Sequence, residues 1–152
     1  MVYLNILVVC TGNTCRSPMA ERLLKEAIEN SGKNIKDYNV YSAGLSTANG
    51  MRASENSIKI LRDRNIDLSN HKSTELTEDL LNKSDLILTM TKTHKKFLVQ
   101  AVPKCINKVY TFREFADLGE SDISDPYGGD LETYKITYNE IKESVDKIIE
   151  KI

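Results

Sequence analysis

"VVCTGNTCRSPMAE", residues 8–21, joins the end of an apolar run to the start of an amphipathic one. Leu4–Val9 is almost continuously apolar, as expected of a strand covered on both faces. From Met19, apolar residues recur as Met19, Ala20, Leu23, Leu24, Ala27 and Ile28 before Ser31-Gly32 stops the pattern, which marks a helix. Between them Ser17 can cap the helix, and Pro18 suits its first turn. Residues 11–17 are therefore a tight loop between strand and helix, with Cys10 at the strand's carboxyl end, where ligands of open α/β sheets bind.

The rest of the chain repeats the alternation. Further strands are predicted at Asn39–Ser42, Asp85–Met90 and Lys108–Phe112. Helical patterns run through Ala53, Ser57, Ile58 and Leu61; through "LTEDLLNK" with Thr77 as cap; and through "THKKFLVQAV", ended by Pro103. A last helix carries Tyr134, Tyr138, Ile141, Val145, Ile148 and Ile152 on one stripe. Strands alternating with helices pair in parallel through right-handed crossovers. The prediction is a three-layer α/β/α open sheet of four parallel strands, forming a single domain over residues 1–152.

Composition narrows the function classes. A chain of 152 residues can bury roughly two-thirds of its unfolded surface without staples. A net charge of −1 with both signs interspersed leaves no footprint for nucleic acid or a membrane surface. "MVYLNILVVC" lacks the basic start and small-residue cleavage pattern of a leader, and no apolar stretch is long enough for a membrane span. Three cysteines without an export signal suggest thiols in a reducing cytoplasm.

The residue types of the loop converge on an anion. Backbone N–H groups at a helix N-terminus bind one. Gly12 lets the backbone approach a ligand or take a positive φ, Asn13 tolerates the left-handed region, and Arg16 offers a fork for two oxygens of a phosphoryl group. A free cysteine, with a pKa of about 8.5, is only about 3% thiolate at pH 7, and a helix N-terminus beside an arginine can lower such a pKa to roughly 3.5–7.5. A loop that binds phosphate would thus also make a nucleophile of Cys10. A cysteine after a buried strand is more often a small core residue; the Cys-x5-Arg-Ser spacing between strand and helix favours catalysis. A nucleotide-binding loop would end in Gly-Lys-Ser/Thr, and here "CRS" stands instead.

"VCTGNTCRSPMAE" resembles the signature of the low-molecular-weight protein tyrosine phosphatase family, and "SDPYGGD" near the C-terminus resembles the family's Asp-Pro-Tyr motif. The resemblance implies Cys10 as nucleophile, Arg16 and the loop residues Thr11, Gly12, Asn13, Thr14, Cys15 and Ser17 around the phosphoryl group, and Asp125 as the acid that protonates the leaving group and then activates water. By itself an Asp-Pro dipeptide is an ordinary turn. The resemblance further implies a supporting network of Asn13, Ser17, Ser42 and His71, and a reversible disulfide role for Cys15. His94, next to Lys95 and Lys96, reads as a solvated helix residue, those lysines being open to an anionic partner, and Cys105 as a buried or bystander thiol. No cofactor is implied, and the scattered cysteines and histidines lack zinc-site spacing, so no metal is expected.

Two substrates stay open. Thr14 matches the family's bacterial protein-arginine phosphatase branch, where a hydroxyl can accept a bond from a guanidinium N–H that an aliphatic residue would leave unpaired. "Pro-x-Gly-Gly" after Asp125 resembles the same branch. Tyr127 departs from it, since arginine-specific members carry phenylalanine there, but an aromatic wall serves phosphoarginine or phosphotyrosine by stacking. The expected function is a cysteine-dependent protein phosphatase acting on phosphoarginine, with phosphotyrosine as the alternative. The expected partners are phosphorylated proteins, met by a cytoplasmic monomer. An arsenate reductase would need relay cysteines within residues 76–100, which hold none. A non-catalytic phosphate-binding module could dispense with Arg16 and Asp125.

Overall fold

The structure, a computed structural model, describes residues 4–152; residues 1–3, part of the stretch read for a leader, lie outside the described residues. Four strands, β1 (Leu4–Cys10), β2 (Tyr38–Gly44), β3 (Leu86–Thr89) and β4 (Val109–Thr111), form one sheet in the order β2-β1-β3-β4. All pairs are parallel, as the alternating pattern predicts. β1 lies centrally, and its alternate residues feed two separate cores. Ile6 and Val8 face α1 (Arg16–Asn30), α2 (Glu55–Arg62) and α6 (Leu131–Ile148), while Leu7 and Val9 face α3 (Glu78–Lys83) and α4 (Lys92–Ala101). That two-sided burial explains the unbroken apolar run.

Local signals and structure agree closely in most elements. Thr77 accepts the Leu80 N–H as cap of α3, and Thr91 does the same for His94 on α4, which ends at Ala101 before Pro103. In α6 the predicted stripe is buried at Tyr134, Ile141, Val145 and Ile148 and also takes in Thr137 and Ser144; Ile152 lies beyond the helix but packs on the core. β4 ends at Thr111 rather than Phe112. There Thr111 caps a short helix, α5 (Phe112–Phe115), by accepting the Glu114 N–H, a turn the apolar pattern hides. α1 begins earlier than Met19. Its cap position is Cys15, with no side-chain cap bond, and Ser17 does not cap it. The Ser17 hydroxyl is committed elsewhere, to the cysteine and the asparagine of the loop.

Candidate active site

The β1–α1 loop sits at the carboxyl edge of the sheet, where β1 is central and the chain turns sharply. The turn is made at Asn13, with φ 55, while Gly12 takes no positive φ, so the left-handed position belongs to the asparagine. Asn13 is held on every side. Its Oδ1 accepts from Thr74 N at 2.9 Å, and its Nδ2 donates to Ser17 Oγ at 2.8 Å and to Ser42 Oγ at 2.9 Å. His71 Nε2 donates to its carbonyl at 2.8 Å, and Ser42 passes its own proton to Glu21 Oε1 at 2.6 Å. The expected network of Asn13, Ser17, Ser42 and His71 is thus assembled, with Glu21 and Thr74 as members that the sequence did not reveal.

Three further carbonyls here are tied from outside as well. Leu45 N donates to Cys10 O, Ser46 N to Thr11 O and Ser54 N to Thr14 O, at 2.9–3.0 Å. With the carbonyls drawn outward, the N–H groups of Gly12, Thr14 and Cys15 have no acceptor among the described residues. Asn13 N points at Cys10 Sγ at 3.2 Å, and Ser17 Oγ lies 2.9 Å from the same sulfur. Cys10 is 3% exposed at the floor of this ring. A ring of free N–H groups at a helix N-terminus is an anion-binding nest.

The loop fits only because Gly44 faces it. In the sheet Cys10 pairs with Gly44, where a Cβ would stand 2.8 Å from Thr11 O and 3.1 Å from Asn13 Cβ. Gly12, by contrast, meets only Thr14 Oγ1, at 3.6 Å from where a Cβ would be.

Arg16 is 5% exposed and anchored by Nη1 to Ile123 O at 3.1 Å, while its Nη2 lies 3.7 Å from Asp125 Oδ2. The segment that carries Asp125 is pinned through Ile123 N to Met90 O, at the end of β3, and through Ser124 to Glu140 Oε1 of α6. This brings Asp125, distant in sequence, to the rim above Cys10. Its side chain stays 58% exposed, and its Oδ1 accepts the Tyr127 N–H at 3.1 Å. Gly128, at φ 79, completes the turn closed by Gly129 N to Pro126 O.

A cavity of about 300 Å³ opens here. Cys10, Thr11, Gly12, Thr14, Cys15, Arg16, Asp125 and Tyr127, all singled out from the sequence, line it. Ser46, Thr47 and Met51 complete the wall and carry no sequence signal. Asn13, Ser17, Ser42 and His71 lie behind the loop rather than in the cavity. Tyr127, 82% exposed, stands at the mouth. The Thr14 hydroxyl has only a 3.8 Å contact with Cys15 Sγ and is otherwise free to meet a ligand.

One neighbour departs from the sequence reading. His94 is not solvated: it is 6% exposed, with Nε2 2.8 Å from Thr11 Oγ1. Burial, and then the nearby Arg16 charge, push its pKa down to about 4, so it is neutral at physiological pH. Cys15 Sγ lies 3.3 Å from the buried Tyr134 hydroxyl, whose pKa burial and that thiol raise to about 12. Cys10, Cys15 and Cys105 are all free thiols, and Cys105 is buried in the core beneath α4.

A parallel sheet of this order, with a cysteine floor under a nest of amides and an arginine, is the architecture of a cysteine-based phosphatase. The chain belongs to the low molecular weight phosphotyrosine protein phosphatase family, whose model matches residues 5–152. It is 38% identical over 149 residues to a protein-arginine-phosphatase of Bacillus subtilis, covering 98% of this chain and 97% of that one. Its fold superposes with a TM-score of 0.91 on a mutant of the YwlE arginine phosphatase bearing a phosphorylated active-site serine, at 36% identity and covering 97% and 95% of the two chains. It matches equally well, at 0.91 and 41% identity, a low molecular weight protein tyrosine phosphatase from T. tengcongensis, covering 98% and 99%. The protein is a hydrolase of the protein phosphatase class. No helix among the described residues is long and apolar enough to cross a membrane.

Proposed function

We propose that this chain removes phosphate from phosphoarginine side chains of proteins. The observation that carries the substrate assignment is Thr14: its hydroxyl lines the cavity with no strong partner of its own, and Gly12 beside it has no side chain to cover it. A guanidinium N–H of the substrate finds an acceptor there, and an aliphatic residue would leave that N–H unsatisfied in a partly closed site. The likeness to arginine phosphatases of Bacillus and Geobacillus supports the same reading.

In the proposed reaction the Cys10 thiolate attacks phosphorus from the floor of the nest and the P–N bond breaks. Asp125 gives its proton to the departing guanidine nitrogen. The free amides of the loop and the guanidinium of Arg16 hold the equatorial oxygens as charge shifts onto them, which requires no metal. Water then attacks the phosphocysteine, Asp125 takes the water's proton, the S–P bond breaks, and phosphate leaves with the thiolate restored. The paired contacts of Ser17 Oγ and Asn13 N on Cys10 Sγ support the nucleophile assignment, and the approach of Arg16 to Asp125 supports a shared rim.

Phosphotyrosine is the second reading, favoured by Tyr127 at the mouth and by the likeness to the T. tengcongensis tyrosine phosphatase. The deciding experiment compares kcat/KM on phosphoarginine and phosphotyrosine peptides for the natural chain and for Thr14→Ile. Preference for phosphoarginine, reversed by the substitution, is expected. A natural preference for phosphotyrosine, or an unmoved preference in the variant, overturns the substrate assignment. Mass-spectrometric capture of phosphate on Cys10 tests the covalent step; full hydrolysis by Cys10→Ser would refute it.

A further inference from the structure

We propose that His94 is a positioning residue that orients the Thr11 hydroxyl toward the bound phosphoryl group. The inference rests on the reading of the loop as an oxyanion cradle and adds a donor to it. Thr11 follows the nucleophile directly, is exposed, and lines the cavity. Its Oγ1 lies 2.8 Å from His94 Nε2, and the pair links residues 83 apart in the chain. The backbone that carries the ring is held as well, because the His94 main-chain N–H donates to Thr91 Oγ1, the cap of α4.

The direction of the Thr11–His94 bond follows from the opposite ring nitrogen. His94 Nδ1 is buried and has no hydrogen-bond partner among the described residues. One tautomer would leave an N–H orphaned there, and the other leaves only a lone pair. Orphaned buried donors are the rarer and costlier of the two. The ring therefore carries its proton on Nε2 and donates it to Thr11 Oγ1. That oxygen is now an acceptor toward the protein, so its own hydrogen is released to the cavity side. A neutral histidine suits the task, because a cation here would stand against Arg16. The loop thus presents a hydroxyl donor alongside its amides, set by a residue on a different helix.

Two measurements test this in the full chain. First, long-range 15N–1H NMR on ring-labelled protein should show the His94 proton on Nε2; an Nδ1–H tautomer overturns the proposal whatever the variants do. Second, orthovanadate inhibition and kcat/KM on p-nitrophenyl phosphate are compared for His94→Leu, His94→Asn and His94→Gln, each with Thr11 and with Thr11→Val. His94→Leu is expected to weaken vanadate binding by about tenfold, and His94→Asn, which cannot reach Thr11, similarly. His94→Gln, which restores a donor near Nε2, should stay within about threefold of the natural chain. With Thr11→Val the loss is already present, and His94→Leu or His94→Asn adds less than about twofold. Equal losses in both backgrounds would mean that His94 serves the fold alone and would overturn the role. Failure of the natural chain to bind orthovanadate at all would instead defeat the oxyanion cradle itself.

Discussion

Ser17 Oγ lies 2.9 Å from Cys10 Sγ, and the same oxygen accepts from Asn13 Nδ2 at 2.8 Å. With one lone pair engaged by the amide, the serine proton is directed at the sulfur. A hydrogen bond to a charged group is worth about 1.5–3 kcal/mol, so Ser17→Ala should lower kcat for aryl phosphates by roughly 10- to 150-fold with little change in fold. Steady-state kinetics and a thermal melt check both halves. A rate within twofold of the natural chain would remove Ser17 from the support of the nucleophile.

Gly44 is the second point of failure. A Cβ at Gly44 would press on the Thr11 carbonyl and on Thr47 Cγ2, backbone and loop that cannot both retreat. Gly44→Ala is expected to destabilise the protein by about 1–3 kcal/mol, seen in urea unfolding, and to weaken vanadate inhibition by displacing the loop. Native stability together with native inhibition would show that the loop has room to spare.

Asp125→Asn keeps the turn, since an amide oxygen can still accept the Tyr127 N–H, but it has no proton to give. Turnover of phenyl phosphate should fall by about two to four orders of magnitude. The fall should be smaller for a substrate whose leaving group needs no proton, and a uniform fall across leaving groups would contradict the acid role.

Acid stability should report on His94. Its pKa is depressed to about 4 in the folded chain, against about 6.5 when unfolded. The folded state therefore binds fewer protons between those limits, and its stabilising contribution is complete above pH 6.5 and drains away as the pH falls towards 4. Allowing for solvent screening, the loss is on the order of 2 kcal/mol. Denaturant midpoints at pH 7 and pH 4.5 should differ less in His94→Gln than in the natural chain. Identical slopes would mean that other groups dominate acid unfolding.

The β1–α1 loop was legible because its information is local. Apolar β1, the Cys-x5-Arg spacing and Pro18 in the first turn of α1 each act within a few residues, and so the strand, the turn and the proposed nucleophile could be placed from residues 4–28. Local patterning misled where one group had two claimants. Ser17 has the chemistry of a cap, but in the folded chain the sulfur and Asn13 claim its hydroxyl first. His94 sits among lysines, as a solvated residue would, yet α4 turns it inward to Thr11.

By itself the sequence determined the alternation of strands and helices and the loop that carries Cys10, while a resemblance to a second motif pointed to Asp125 as the acid proposed at the rim. The alternation and the loop follow from periodicity and short-range backbone preferences. Only the tertiary structure decided that Gly44 must lack a side chain, that Met51 and Thr47 wall the cavity, that Ile123 anchors Arg16, and that His94 meets Thr11. Each of those depends on parallel strands and their crossovers bringing remote segments to one sheet edge. Such contacts exist only after the chain has closed, so no window of neighbouring residues carries their signal.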